Sequence, residues 1–140
     1  MTFTRRDTLI IGAAGAAAAA LPSAGFAAAD KTAEAIAAFT GGAAVTEGGV
    51  DIGAPEIAEN GNTVPIEVGA EGAAEILVLA DGNPSPGVAT FRFSKLAVPA
   101  ASTRIRLAGT QNVVAVAKMQ DGSFRQAQRT VKVTIGGCGG

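Results

Sequence analysis

The sequence predicts an all-β fold: an immunoglobulin-like β-sandwich of about seven strands, preceded by a short N-terminal helix and followed by a flexible glycine-cysteine arm. Three observations carry that prediction. Apolar and polar residues alternate through Thr63-Val64-Pro65-Ile66-Glu67-Val68 and again through Val131-Lys132-Val133-Thr134-Ile135, the period of a half-buried strand. Turn-forming residues stand between the apolar runs at Asn60-Gly61-Asn62, Asp81-Gly82-Asn83-Pro84, Ala108-Gly109 and Asp121-Gly122, where their side chains or positive φ suit a reversal. Helical spacing stops at Gly41-Gly42. A closed barrel is the alternative arrangement of the same strands.

The first 29 residues read as an export signal. Arg5 and Arg6 precede an apolar, alanine-rich stretch that runs to Leu21, and Ala27-Ala28-Ala29 follows. A basic start, a short apolar core and an Ala-x-Ala end make a secretory signal peptide. The core is shorter than the ~20 apolar residues of a transmembrane helix. The adjacent arginines indicate the twin-arginine route and a periplasmic destination, with a general secretory leader as the alternative. Cutting after Ala29 leaves residues 30–140 as the mature protein.

Residues 30–39 then read as a short helix. Asp30 is placed to cap it, Ile36 and Phe39 share one face, and Gly41-Gly42 ends it. Strand-like runs follow at 63–68, 74–80, 88–93, 103–107, 112–119 and 124–135, with a weaker one at 50–52. The run containing Glu75-Ile76-Leu77-Val78-Leu79 is almost continuously apolar. Asp121-Gly122 is the strongest hairpin signal and joins the last two runs. In the final run Val131, Val133 and Ile135 are expected inward, with Lys132 and Thr134 outward. Pro65 is expected at a sheet edge or bulge, and Asn83-Pro84-Ser85-Pro86-Gly87 as a rigid loop. Arg92, Arg104, Arg106, Arg125 and Arg129 are expected on solvated faces.

Composition narrows the chemistry further. The 140 residues include no histidine and one cysteine, and the formal net charge is -1. Without histidine the chain cannot assemble a Ser-His-Asp or Cys-His site or a His-ligated metal site. One cysteine excludes an internal disulfide and multi-cysteine metal centres. The near-neutral balance leaves no electrostatic footprint for nucleic acid. No metal or cofactor is expected to be bound by this chain. A sandwich of this size buries only about two-thirds of its unfolded surface. A long-lived complex formed through exposed sheet edges and a self-sufficient monomer both remain open on composition.

The chain ends Gly136-Gly137-Cys138-Gly139-Gly140. A structural cysteine is normally buried, and here the glycine neighbours have no side chains to bury it. Glycine loses the most backbone entropy on ordering, so the tail is expected to act as a flexible arm. Extended from Ile135, Cys138 reaches roughly 10 Å from the body at ~3.3–3.6 Å per residue. A solvated thiol keeps a pKa near ~8.5 and is mostly protonated at neutral pH. Cys138 thus suits covalent attachment better than catalysis. The alternative is an exported structural sandwich that crosslinks through Cys138. Prenylation does not fit, because only two glycines follow the cysteine.

The residues now in view resemble the SoxY family, carrier subunits of the periplasmic thiosulfate-oxidising system. The resemblance rests on Glu59-Asn60-Gly61-Asn62-Thr63-Val64-Pro65-Ile66, on Gly82-Asn83-Pro84-Ser85-Pro86 with Ala89-Thr90-Phe91, and on Thr110-Gln111-Asn112-Val113-Val114-Ala115-Val116-Ala117. Val131-Lys132-Val133-Thr134-Ile135 running into the glycine-flanked Cys138 completes it. It implies a non-catalytic carrier that holds its substrate on Cys138 and pairs with SoxZ, a related sandwich without the arm. It also implies transient docking with SoxAX, SoxB and, where present, SoxCD. Haem, manganese and molybdenum would belong to those enzymes.

Overall fold

The computed structural model of the chain describes the backbone of residues 24–136 and the side chains of residues 30–136. The expected twin-arginine segment with Arg5 and Arg6, and Gly137, Cys138, Gly139 and Gly140, lie outside the described residues. Among the described residues one helix, α1 (Ala24–Thr40), precedes nine strands. These are β1 (Val45–Glu47), β2 (Asp51–Gly53), β3 (Ile57–Ala58), β4 (Val64–Gly69), β5 (Ala73–Ala80), β6 (Gly87–Arg92), β7 (Ala100–Ile105), β8 (Gln111–Met119) and β9 (Phe124–Val133).

Two open sheets result. The larger runs β1-β9-β8-β5-β6, with β3 also on the edge of β9, and the smaller runs β2-β4-β7. The sandwich is therefore the architecture, and the closed barrel is not. Pairing is antiparallel except for β1 and β3, which lie parallel to different stretches of β9.

Alternation explains how the sheets meet. Val64, Ile66 and Val68 of β4 all face inward and are buried. They meet Ile76, Val78 and Ala80 of β5, Val113, Ala115 and Ala117 of β8, and Val131 of β9. The intervening residues of β5 and β8 face the other way, yet Leu79, Val114 and Val116 are buried too. They lie under Ala35, Ile36 and Phe39 of α1, and the Phe39 ring meets Phe124 edge-on at 5.9 Å. The larger sheet is the middle of three layers. This is why β5 and β8 read as continuous apolar runs: both faces are covered.

The turns follow their sequence signals. Gly41 and Gly42 take φ of 66° and 83°, and Gly42 N–H donates to Ala37 O at 3.2 Å, closing α1 as a left-handed cap does. Gly122 takes φ of 86° in the β8–β9 hairpin, where Met119 N–H donates to Ser123 O at 2.8 Å. Pro65 sits where β4 is paired by β7 alone, since β2 reaches only Glu67 to Gly69. The edge condition is met locally.

Three expectations need correction. α1 begins at Ala24, so Asp30 lies within the helix and does not cap it. β9 ends at Val133, and Ile135 is 67% exposed where it was expected inward. The chain is diverted by loop hydrogen bonds at Thr134 and Ile135 before the alternation can continue. β1 and β3 were not anticipated; at 3 and 2 residues they are too short to show a period.

Candidate attachment site and the root of the arm

Cys138 is the residue the sequence singles out, and Gly136 is the nearest tail residue that the structure describes. What can be built from the structure is the root from which the tail leaves. It lies at the end of the sandwich where β5, β7 and β9 finish and β4, β6 and β8 begin.

Beyond β9 the chain is held from several sides. Val133 N–H donates to Thr110 Oγ1 at 3.0 Å. Thr134 N–H donates to Ala58 O at 3.0 Å, and Thr134 Oγ1 donates to Glu59 O at 3.1 Å. Ile135 O accepts from Gly61 N–H at 2.8 Å, and Gly61 O accepts from Leu107 N–H at 2.8 Å. Gly61 thus ties the tail root to the end of β7. Gly136 lies so close to the loop after β7 that a Cβ there would collide with the Ala108 carbonyl oxygen. Glycine is required at that position by this close approach as well as by any need for freedom.

A side-chain network fixes that loop. Asn83, in the β5–β6 turn, donates from Nδ2 to Arg106 O at 2.8 Å. Its Oδ1 accepts from Ala108 N–H and from Gln111 Nε2, both at 2.9 Å. Gln111 is buried; its Oε1 accepts from Gly82 N–H at 2.8 Å, and its Nε2 also donates to Gly109 O at 3.1 Å. Asp81 braces the same turn, accepting from Asn112 N–H at 2.9 Å and Asn112 Nδ2 at 3.0 Å. Asn60-Gly61-Asn62 is the turn leading into β4 that its residues predict, with Asn60 Oδ1 accepting from Asn62 N–H at 3.0 Å. The sequence marked Asn83 as part of a rigid loop and passed over Gln111 as a site residue. The signal was an Asn-Pro turn beside a polar residue opening an apolar strand.

Arg92, Arg104, Arg106, Arg125 and Arg129 are all exposed, and Arg92 pairs with Glu75 at 2.7 Å. Among the described residues no group of three or more His, Cys, Asp or Glu gathers in a metal-holding arrangement. A shallow hollow of about 560 Å³ lined by Gly72, Ser94, Pro99 and Gln120 lies at the opposite end of the sandwich. It is remote from the tail root.

Comparison with known proteins settles the family. The family described as sulfur oxidation protein SoxY matches residues 36–138, a span that ends on Cys138. The chain belongs to the SoxY family. The solved structure of the sulfur carrier protein SoxY from Chlorobium limicola f thiosulfatophilum is 42% identical, with a TM-score of 0.69. That match covers 76% of this chain and 99% of the other. A superoxide reductase (neelaredoxin) from Ignicoccus hospitalis aligns at 16% identity and a TM-score of 0.55, covering 61% of this chain and 80% of that one. A putative superoxide reductase from Thermotoga maritima aligns at 18% and 0.50, covering 68% and 89%. Those two share the fold alone. A search of the curated proteins finds no match.

Proposed function

We propose that this chain is a non-catalytic covalent carrier of sulfur intermediates in thiosulfate oxidation, with Cys138 as the attachment point. The observation that carries the reading is the family match over residues 36–138, which includes the lone cysteine at its last position. The similarity to a sulfur carrier protein over nearly its whole length supports it. Ile135 O is the last described backbone group tied to the body. Beyond Gly136, the last described residue, two residues to Cys138 span about 7 Å when extended, enough to carry a thiol from the sandwich end into a partner's cleft.

The chemistry balances with partners supplying the reactive centres. Joining thiosulfate to the Cys138 thiol forms an S–S bond, releases the thiol proton and passes two electrons to a haem acceptor, the role assigned to SoxAX. The product is a cysteine S-thiosulfonate. Water then cleaves its terminal S–S bond: the sulfonate leaves as hydrogen sulfate and Cys138 keeps a persulfide, the role assigned to dimanganese SoxB. Where present, molybdenum-haem SoxCD would oxidise the remaining sulfane sulfur before a second hydrolysis. Tethering keeps the intermediate at high effective concentration through successive steps. The chain itself has no histidine to act as base.

The mature protein would work in the periplasm after twin-arginine export and cleavage following Ala29, paired with SoxZ. Among the described strands β6 pairs only with β5 and β7 only with β4. Their free edges can accept a second sandwich. Substituting Cys138→Ser tests the central role: the variant should keep its fold and its SoxZ partner yet lose all thiosulfate-dependent pathway activity. Growth on thiosulfate surviving that substitution would remove the carrier reading in favour of a crosslinking one, in which only a covalent dimer is lost.

A further inference from the structure

The five-residue tail is not uniform at its root. Gly136 abuts the Ala108 carbonyl so closely that no Cβ fits, and its neighbour Ile135 is hydrogen-bonded to Gly61. The loop that supplies this carbonyl is held on both sides of buried Leu107 by one amide, Asn83, through Arg106 O and Ala108 N–H. Buried Gln111 locks that amide in place from the other side. With two bonds accepted at Oδ1 and one donated from Nδ2, the Asn83 amide is held in one orientation, and the loop it binds is held with it.

We propose that Gly136 is a fixed collar belonging to the body, and that Asn83 is a positioning residue which, through the 106–108 loop, sets the direction in which Cys138 is presented to partner enzymes. This rests on the carrier reading of Cys138 for its functional consequence, though not for its geometry. Presentation matters because an attached group misdirected by about 1 Å can lose up to 10²-fold in rate. Loss of the Asn83 amide frees Arg106 O and Ala108 N–H together, so the loop relaxes and Gly136 loses its wall. A methyl at position 136 acts from the other side, forcing loop and tail apart.

The test uses the mature chain carrying Gln120→Cys, an exposed position in the turn after β8 at the far end of the sandwich. Nitroxide labels on that cysteine and on Cys138 report their separation by pulsed electron–electron resonance. Asn83→Ala and Gly136→Ala are each expected to displace the mean distance and broaden its distribution. In unlabelled protein, kcat/KM for loading of Cys138 with thiosulfate by the haem partner should fall by about tenfold or more. The rate with a small disulfide reagent, which needs only access to the thiol, should stay at the parent value. A merely structural role would lower the melting temperature and leave both distance and loading at parent values in the folded protein.

Distances and loading equal to the parent in both variants overturn the proposal. Shifted distances in a protein whose parent form is never loaded would overturn the carrier reading and leave the collar standing. If Asn83→Ala does not fold, Asn83→Asp replaces it. That variant keeps the Ala108 and Gln111 contacts while turning a carboxylate oxygen toward the Arg106 carbonyl, and the same displacement is expected.

Discussion

Ser123 closes the β8–β9 hairpin by donating twice to Asp121 Oδ1, from Oγ at 2.6 Å and from N–H at 2.8 Å. These bonds, the side-chain one foremost, with the nearby Arg125 charge, hold the Asp121 carboxyl below its ordinary 3.8. The folded value lies below the unfolded one. Its contribution to stability is therefore full above the ordinary value and is lost as pH falls through the folded value. An NMR titration should place the Asp121 midpoint below 3.8, and Ser123→Ala should move it back toward 3.8. A midpoint unmoved by that substitution would show that the serine is not the cause. The hairpin was legible in Asp121-Gly122; the part Ser123 plays in closing it emerged only from the structure. Cys138 stood out in the sequence as the only cysteine, set among glycines, and it lies outside the described residues. Asn83 was not legible, since its partners Arg106, Ala108 and Gln111 lie 23 to 28 residues away. Local pattern carries no trace of such pairings.

At the scale of elements, burial on both faces of the larger sheet decides most of what was readable. β5 and β8 announced themselves as apolar runs, yet a run alone does not say what covers each face. The cover proved to be the smaller sheet on one side and α1 on the other. Leu79 is fully buried on the helix side, so Leu79→Ala should cost about 2–5 kcal/mol by the transfer and cavity terms. Urea unfolding followed by circular dichroism measures it. A cost under about 1 kcal/mol would mean that α1 rearranges to fill the space or does not cover the sheet in solution. The helix start was misjudged because Asp30 is a good cap in isolation. The alanine-rich residues before it carry no stop signal, so the full chain extends the helix back to Ala24. β1 and β3 exist only as riders on the edge of β9. Tertiary pairing makes them strands, and their own residues give little sign of it.

For the whole molecule, the tail root and the hollow beside Gly72 and Gln120 occupy opposite ends of the sandwich; on the carrier reading, attachment chemistry falls to the end built from the Asn60, Asn83 and Ala108 loops. The sandwich class was legible from alternation and turns, and the third layer was not, because amphipathic spacing in a short helix does not name the face it meets. Export is a prediction at this scale. N-terminal sequencing of protein recovered from the periplasm should begin at Asp30, and recovery with Met1 retained would refute cleavage after Ala29. The decisive measurement is the intact mass of the mature protein purified from thiosulfate-exposed cells, taken with and without reductant. A carrier will show adducts of one or more sulfur atoms, or of sulfur plus sulfonate, that map to Cys138 and vanish on reduction. A bare thiol or a plain disulfide dimer, unchanged even after exposure to thiosulfate and the haem partner, would contradict it.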